Sequence, residues 1–599
     1  MCIRSENQSP WPGSCVHVLC PGPQDQVFRH ATGRLVSGQS DRWQIVQSDV
    51  LVIGGGFGGL WSAIRAAGCG STVTLVDRSF AGKSGHSFFA GGAMMVLLPE
   101  DDLDECIRDI VAGNGWLIDQ EMVEEVFKGS FYRLKDLESF GMSFRKSGGT
   151  YLWTRARGTM KVKNLWPANA TAGDEVTLLR KIALSTGLVR IIDHAFIYDL
   201  AKASDGTIAG ALGAGVQNPE NYLFKAKGVI LATNSGGYRG HHLASELQGL
   251  GPFMAFDAGA KIKNPEFHYI NMRPAKHEIE GSGILPAIGA RWVNGKGEHF
   301  MEQYDPLFKD RAPVLKIVQA AAREARAGKA PISMDVEGIT EEEREKFRTL
   351  QVSHGWMPLL FEKCAREEGY DPLRNNIEWK PAYECNKLGL LADAQCRTSL
   401  KGLFAAGMAR TLGINPFTGW SIAACTWSGY TAGESCSRYA SANDWKSIDF
   451  AGAEESRSRF MNPLGRERGL DPDKVVHDLQ KILFPADVLI LMKEGSLNKA
   501  LDGVLALKEE SLSRMAAADL RTLIKARETA TMLLSAEMTL KASLMRRESR
   551  DGIFFREDFP EPDNANWLKW ILVEKGEKGE MKFSTEDVPF ARYRFRPSS

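Results

Sequence analysis

The stretch from Asp49 to Asp77 constrains the fold of this chain more tightly than any other. Asp49-Val-Leu-Val-Ile53 is a short apolar, β-branched run of the kind that forms a buried parallel strand. It breaks into Gly54-Gly-Gly-Phe-Gly-Gly59, which carries a G-x-G-x-x-G spacing on Gly54, Gly56 and Gly59. Leu60 to Ala67 then suits a helix, and Thr72-Val-Thr-Leu-Val76 is a second apolar run that ends at Asp77. In such a turn the first glycine permits the tight bend and the second lets a pyrophosphate approach the backbone. The third lets helix and strand pack closely, while the helix start offers unpaired N–H groups and a positive dipole end. Asp77, at the end of the next strand, is placed to accept hydrogen bonds from a ribose. Strand, turn, helix and acid together predict a dinucleotide site.

Composition narrows the rest. Among 599 residues Lys+Arg and Asp+Glu are equal at 74 each, so the chain has no overall footprint for nucleic acid or an anionic membrane. The ten cysteines include no C-x-x-C, which argues against an iron–sulfur cluster or structural zinc within the chain; no metal site is expected. Unpaired thiols in so large a protein suit a reducing cytoplasm. Met1 to Gln47 has no apolar core of a signal peptide and reads as a poorly ordered leader. Thr411 to Gly433 is uncharged and long enough to span a bilayer. It nonetheless holds Asn415, Pro416, four Thr and two Ser, which suits a polar-lined ligand site and not a membrane span.

Two further strand ends lie far downstream. Lys227-Gly-Val-Ile-Leu-Ala-Thr-Asn-Ser-Gly-Gly-Tyr238 is an apolar strand breaking into a polar turn, and Gly402-Leu-Phe-Ala-Ala-Gly407 is another. Three such ends across hundreds of residues predict one nucleotide domain interrupted by an insertion. With these motifs the chain resembles the fumarate reductase/succinate dehydrogenase flavoprotein superfamily, which includes the adenylylsulfate reductase α-subunit. The tail agrees, in Arg546-Arg-Glu-Ser-Arg550, Phe555-Arg-Glu-Asp-Phe-Pro560 and Asn566-Trp-Leu-Lys569.

The resemblance implies an α/β fold. A Rossmann-like, three-layer FAD-binding domain with a parallel sheet is interrupted by an α+β capping domain and followed by a helical domain. The expected division is a leader at 1–47, FAD-binding parts at 48–257 and 385–440, a cap at 258–384, a helical domain at 441–550 and a tail at 551–599. It implies FAD, with Gly54, Gly56, Gly59, Asp77, Ser84, Gly91, Gly92, Ala232, Thr233, Gly407, Asn415, Thr418 and Ser421 as the residues that meet it. Aligned on Ser84 and Gly91-Gly92, the position where some members bind FAD covalently falls on Gly85, one before His86, so non-covalent FAD is expected.

The pocket departs from the dicarboxylate enzymes. Their His-Pro-Thr-Gly is Asn271-Met-Arg-Pro274 here, closer to the adenylylsulfate reductase pattern, in which an Arg at the place of Arg273 lies near the flavin. A guanidinium there suits an oxyanion; the plainer role is an ion pair with a neighbour such as Glu266. Arg311 matches the family's proton-donating Arg, but Ala312 replaces its Asp partner. The family's His-Tyr-Thr-Met-Gly-Gly reads Glu384-Cys-Asn-Lys-Leu-Gly389, and Glu384 would repel a substrate carboxylate. Fumarate and succinate are therefore disfavoured. Tyr151 to Arg157 and Trp166 are aromatic and basic but singly read as surface or core. His241, His242 and His268 are candidate acids or bases.

Apolar stripes at helical spacing, Val475, Val476, Leu479, Ile482, Leu483 and then Leu520, Leu523, Ile524, Ala530, Leu534, Met538, predict a packed helical bundle. With no second nucleotide motif, electrons must pass to an external group, and the resemblance favours a separate ferredoxin-like iron–sulfur subunit. The expected activity is that of a cytoplasmic, FAD-dependent flavoprotein component of a two-part enzyme. It would act on a small anionic substrate, with Arg273, Arg311, His268 and His242 as candidate catalytic residues. Adenylylsulfate reductase proper and a redox-inactive FAD-binding assembly component remain as alternatives, and the oligomeric state stays open.

Overall fold

The central sheet is built on β1 (Gln44–Ile53), whose inner half, Val50 to Ile53, is almost wholly buried. The computed structural model describes residues 43–217, 220–240, 247–276, 282–349, 357–415 and 417–597. The expected leader up to residue 42, and His241 and His242, lie outside the described residues. β1 pairs in parallel along its length with Asn221–Leu231, from Gln44 opposite Tyr222 to Ile53 opposite Leu231. Residues 44–47 therefore belong to the sheet and not to a leader. Gln44, Ile45 and Gln47 are exposed, so the outer end of the strand carries no hydrophobic run to announce it.

After β1 the chain enters α1 (Phe57–Gly68) and then β2 (Val73–Val76), the β–α–β unit that the glycine turn requires. Strand Val189–Ile192 extends the parallel sheet beyond β2. Strand 221–231 branches on its other side. Its outer half pairs antiparallel with Ile208–Gly215, and that strand pairs in turn with Ala195–Lys202. Its inner half pairs in parallel with Leu403–Ala405, more than 170 residues downstream. The sheet is thus parallel where the strands end at the site and antiparallel at the far edge. Helix Trp420–Ala442 covers α1, with the Ser62 hydroxyl donating to the Gly429 carbonyl at 3.0 Å.

Between these parts the chain forms a second layer. Strands His268–Pro274, Ile377–Asn386, Ser333–Asp335 and Arg291–Val293 make an antiparallel sheet, with Asn271 opposite Ala382 and Arg273 opposite Lys380. Helix Val314–Arg326 packs on it through Leu315, Ile317, Val318 and Ala321. The C-terminal helices Pro472–Leu483, Glu494–Leu512 and Leu520–Met545 follow the expected stripes. Val475, Val476, Leu479 and Leu483 are buried, and Asp471 and Asp519 cap two of the helix starts. The tail is a folded element: Lys569–Lys575 and Met581–Asp587 form a hairpin on strand Ile262–Lys263. Its motif Arg546…Arg550 is a buried ion network. Arg546 meets Glu266 at 2.8 Å and Glu548 at 2.6 Å, and Arg550 meets Glu548 at 2.8 Å.

One helix fixes the loop after β2. Ala172–Ser185 starts in a capping box of Thr171 and Asp174. Its Thr177 hydroxyl donates to the Gly82 carbonyl, and Arg180 donates to the Ala81 carbonyl while pairing with Asp193 at 2.7 Å. The same helix buries Glu175, and loss of hydration pushes that carboxyl from its ordinary 4.5 up to about 8. The folded protein holds this proton after the unfolded chain has lost it, so stability falls as pH rises from about 4.5 to about 8. Glu175→Gln is expected to remove that slope, gaining on the order of a few kcal/mol over wild type by pH 8 relative to pH 4. Denaturant unfolding of both proteins across this range checks it; a difference independent of pH would refute it.

Candidate functional site

Two cavities meet beneath the ends of the central strands. The first runs from the glycine turn past Asp77 and the Ser84–Ser87 segment to Ala232, Thr233, Gly407 and Ser421. The second lies under the inserted layer and is lined by Arg145, Arg155, Arg157, Arg273 and Arg311, with Trp166, Phe417, Asn415, Thr418 and Glu343. Tyr269 and Glu384 line both. A ligand filling the first cavity would therefore present one end to whatever occupies the second.

The glycine turn explains the shape of the first cavity. Gly54 has φ +107°, and a Cβ there would lie 2.5 Å from the Ala232 carbonyl oxygen. A Cβ on Gly59 would lie 1.8 Å from the Gly54 oxygen, so the helix start can sit this close to the turn only without a side chain. Gly56 is different. A Cβ there would meet only the movable Ser87 side chain, its hydroxyl at 2.7 Å, and would otherwise project into the cavity. Asp77 accepts hydrogen bonds from the Gly55 and Ser79 backbone N–H groups, both at 2.8 Å. Burial nevertheless raises its pKa, because desolvation outweighs those two donors. The Thr233 hydroxyl, buried on the cavity wall, has no hydrogen-bond partner among the described residues. An open glycine cradle and an orphaned hydroxyl both fit a bound dinucleotide.

The second cavity is cationic, with five arginines against two glutamates. Arg273 comes from strand 268–274 and Glu384 from its neighbour 377–386, and the two form a buried ion pair at 2.5 Å. Glu266, the partner that the sequence suggests, is instead taken by Arg546. Arg157 donates through Nε to the Ala312 carbonyl at 2.9 Å. Loss of hydration, with a smaller contribution from the Arg311 charge, lowers its pKa to about 10.

The candidates divide accordingly. Gly54, Gly56, Asp77, Ser84, Ala232, Thr233, Gly407 and Ser421 gather on the first cavity, with Gly59 beneath the turn. Gly91 and Gly92 line neither cavity. Asn415 and Thr418 line the second cavity with Arg273 and Arg311 and not the first; the Asn415 N–H donates to the Asn114 side-chain oxygen and its amide donates to the Gly113 carbonyl, both at 2.9 Å. His268 is buried and lines neither cavity. Its Nε2 donates to the Leu489 carbonyl at 2.7 Å, and burial lowers its pKa. Arg145, Arg155 and Arg157 form a set that the sequence does not mark as one. The nearest signal is that Arg155 ends strand 153–155 and Arg157 follows it at the next alternate position. Tyr269, Cys385, Lys387 and Cys425 also line the first cavity, without a motif that would single them out.

The FAD binding domain family matches residues 49–421, and the fumarate reductase flavoprotein C-terminal family matches residues 477–599. One component of the CoM/CoB fumarate reductase of Methanothermobacter marburgensis is 27% identical over 554 residues, covering 89% of this chain and 98% of that protein. The fumarate reductase flavoprotein subunit of Haemophilus influenzae is 25% identical over 586 residues, covering 92% and 95%. Among solved structures, an Escherichia coli quinol fumarate reductase superimposes with a TM-score of 0.82 at 22% identity, covering 93% of this chain and 99% of that one. Adenylylsulfate reductase from Archaeoglobus fulgidus superimposes at 0.77 and 22% identity, covering 94% and 99%. At such identities the structural likeness shows the shared fold.

Two outcomes are expected. Gly56→Val should yield folded protein that retains little or no flavin absorbance, since the added methyls occupy the cradle while Ser87 can turn away. Full flavin occupancy would place the cofactor elsewhere. His86 lines the first cavity, but it stands one residue off the attachment register, so acid precipitation of the wild-type protein should leave the flavin in the supernatant. Flavin that sediments with the polypeptide would show the opposite.

Proposed function

Since the chain belongs to the fumarate reductase/succinate dehydrogenase flavoprotein family and is an FAD-dependent oxidoreductase, we propose that it exchanges two electrons with a small anionic substrate. The observation that carries this reading is the shared wall, Tyr269 and Glu384, between a dinucleotide-shaped cavity and an arginine-lined one. Bound FAD supplies the two-electron chemistry at that wall. In our reading Arg273 and Arg311 hold the substrate anion, and Arg157 adds to the field. Glu384 orients Arg273 by its ion pair, and in our reading fumarate and succinate stay disfavoured because the sequence lacks the histidine-bearing segments of the dicarboxylate enzymes. Asn415 and Thr418 add neutral hydrogen-bonding groups at the mouth of helix 420–442.

The relatives are named as parts of larger enzymes, and we extend to this chain a separate ferredoxin-like iron–sulfur partner as the electron donor or acceptor. Among the described residues no group of three or more potential ligands could hold a metal, and no helix is long and apolar enough to cross a membrane. The described cysteines are free thiols, which supports a reducing cytoplasm. We set the boundaries of the two FAD-binding parts at 44–257 and 385–440, around a cap at 258–384 and followed by a helical domain to 550. Adenylylsulfate reduction is the second reading, supported by the pocket pattern around Arg273.

The deciding experiment is anaerobic: dithionite-reduced enzyme, freed of excess reductant, is mixed with adenylylsulfate, fumarate or other small anions while flavin absorbance is followed. Reoxidation by an anion other than fumarate supports the proposal, and release of sulfite and AMP from adenylylsulfate would select the second reading. Fast reoxidation by fumarate would overturn the exclusion of dicarboxylates, and no reoxidation by any anion would favour a redox-inactive role. With a substrate in hand, Arg273→Lys keeps the charge but loses the fork that can meet Glu384 and substrate together. It is expected to lower turnover about a hundredfold, roughly 3 kcal/mol, with flavin content unchanged. Arg311→Lys should cost less, because Arg311 stands exposed at the cavity rim. An Arg273→Lys enzyme of wild-type turnover would remove Arg273 from the mechanism.

A further inference from the structure

Lys387 is a buried lysine on the wall of the first cavity, only 7% exposed. Its Nζ lies 5.1 Å from the centre of the Tyr269 ring, the ring that belongs to both cavities. Its charge also bears on the Cys385 and Cys425 thiols, which line the same cavity. Among the described residues no carboxylate stands within ion-pair distance of it. The nearest acid in sequence, Glu384, is engaged by Arg273. At the junction of the cavities, then, one buried pair cancels and one ammonium remains uncompensated. Burying a lysine without a partner is unfavourable unless a negative group shares the space.

The backbone around Lys387 is held in place rather than left to settle. Asn386 is fully buried. Its side-chain oxygen accepts from the Gly236 N–H at 3.0 Å and its amide donates to the Ser535 hydroxyl at 2.8 Å. The Lys387 N–H donates to the Phe267 carbonyl at 2.7 Å. A side chain carried on this backbone lines the cofactor cavity and not the substrate cavity. With its phosphates on the glycine turn, a bound flavin would turn its redox end toward the junction. Reduction adds negative charge to the ring, and a fixed cation beside it favours the reduced form.

We propose that Lys387 is the fixed positive charge that raises the reduction potential of the bound flavin. The proposal rests on FAD occupying the first cavity and adds to that reading the group that tunes it. The test uses the FAD-loaded enzyme and a dye-equilibrated reductive titration followed by flavin absorbance. Lys387→Met and Lys387→Gln should shift the oxidised-to-reduced ratio at a given poise at least tenfold toward oxidised, about 30 mV for a two-electron couple. Lys387→Arg should stay within threefold of wild type, with bound FAD equal in all forms. Rescue by arginine separates a charge effect from loss of packing. Met and Gln variants that titrate with the wild type would overturn the proposal. So would an unchanged potential accompanied by a raised KM, which would make Lys387 a substrate ligand. If the Met form loses flavin, the Gln and Arg pair decides. Wild-type protein that takes up no FAD would defeat the functional reading itself, whereas bound flavin of unmoved potential defeats this inference alone.

Discussion

Three strand ends that are far apart in sequence must converge on one glycine turn, and most of the architecture follows from that contact. The turn after β1 lies against Ala232 at the end of strand 221–231, and Gly58 at the head of α1 lies against Gly407 beyond strand 403–405. Ala232 and Gly407 are separated by the whole inserted layer, so that layer has to leave and re-enter the sheet beside the turn. The cavity and the insertion are consequences of one close approach. Side chains at Gly54 or Gly59 would push the strand ends apart before they touched any ligand.

The insertion then sets the electrostatics of the site. It brings Arg273 and Glu384 in on neighbouring antiparallel strands, at positions where each neutralises the other. A buried charge pair of this kind contributes little net stability, because the attraction is largely spent against lost hydration. Its effect is on geometry: the ion pair fixes the guanidinium where it lines the cavity. The remaining arginines, at 145, 155, 157 and 311, come from other segments and carry the net positive field. The buried network of Glu266, Arg546, Glu548 and Arg550 clasps the insertion's entry to the C-terminal segment from the opposite side. Breaking it at one member would strand an uncompensated charge, so the tail is coupled to the position of the strand that bears Arg273.

What is legible in the sequence has a local physical signature. The glycine spacing between a strand and a helix exposes the cofactor turn, because backbone conformation itself demands glycine there. The apolar stripes of helices 472–483 and 520–545 are equally local, since a helix buries one face at a fixed period. The start of β1 is not legible, because its first residues are exposed at the outer end of the sheet and carry no hydrophobic run. The family resemblance points Asn415 and Thr418 to the cofactor, whereas in the structure they line the other cavity. His268 draws attention by its chemistry, yet it lines neither cavity and its Nε2 donates to a carbonyl of the helical domain more than two hundred residues away. Such pairings depend on packing between distant segments and leave no mark at either end.

The segment from Glu384 to Lys387 illustrates how a pocket can be rewritten without losing its fold. A glutamate at the edge of a cofactor cavity would be strongly disfavoured alone, since burial penalises its charge. Arg273 on the neighbouring strand removes that penalty, so the acid and the arginine are tolerable only together. Asn386 sits between Glu384 and Lys387 and pins the strand end to Gly236 and Ser535, which are parts of the nucleotide fold and the helical domain respectively. The side chains on either side of that pin can therefore change in charge while the backbone stays where the fold requires it. The charge of this segment is set by residues flanking a fixed asparagine, while the backbone beneath them is held by the fold.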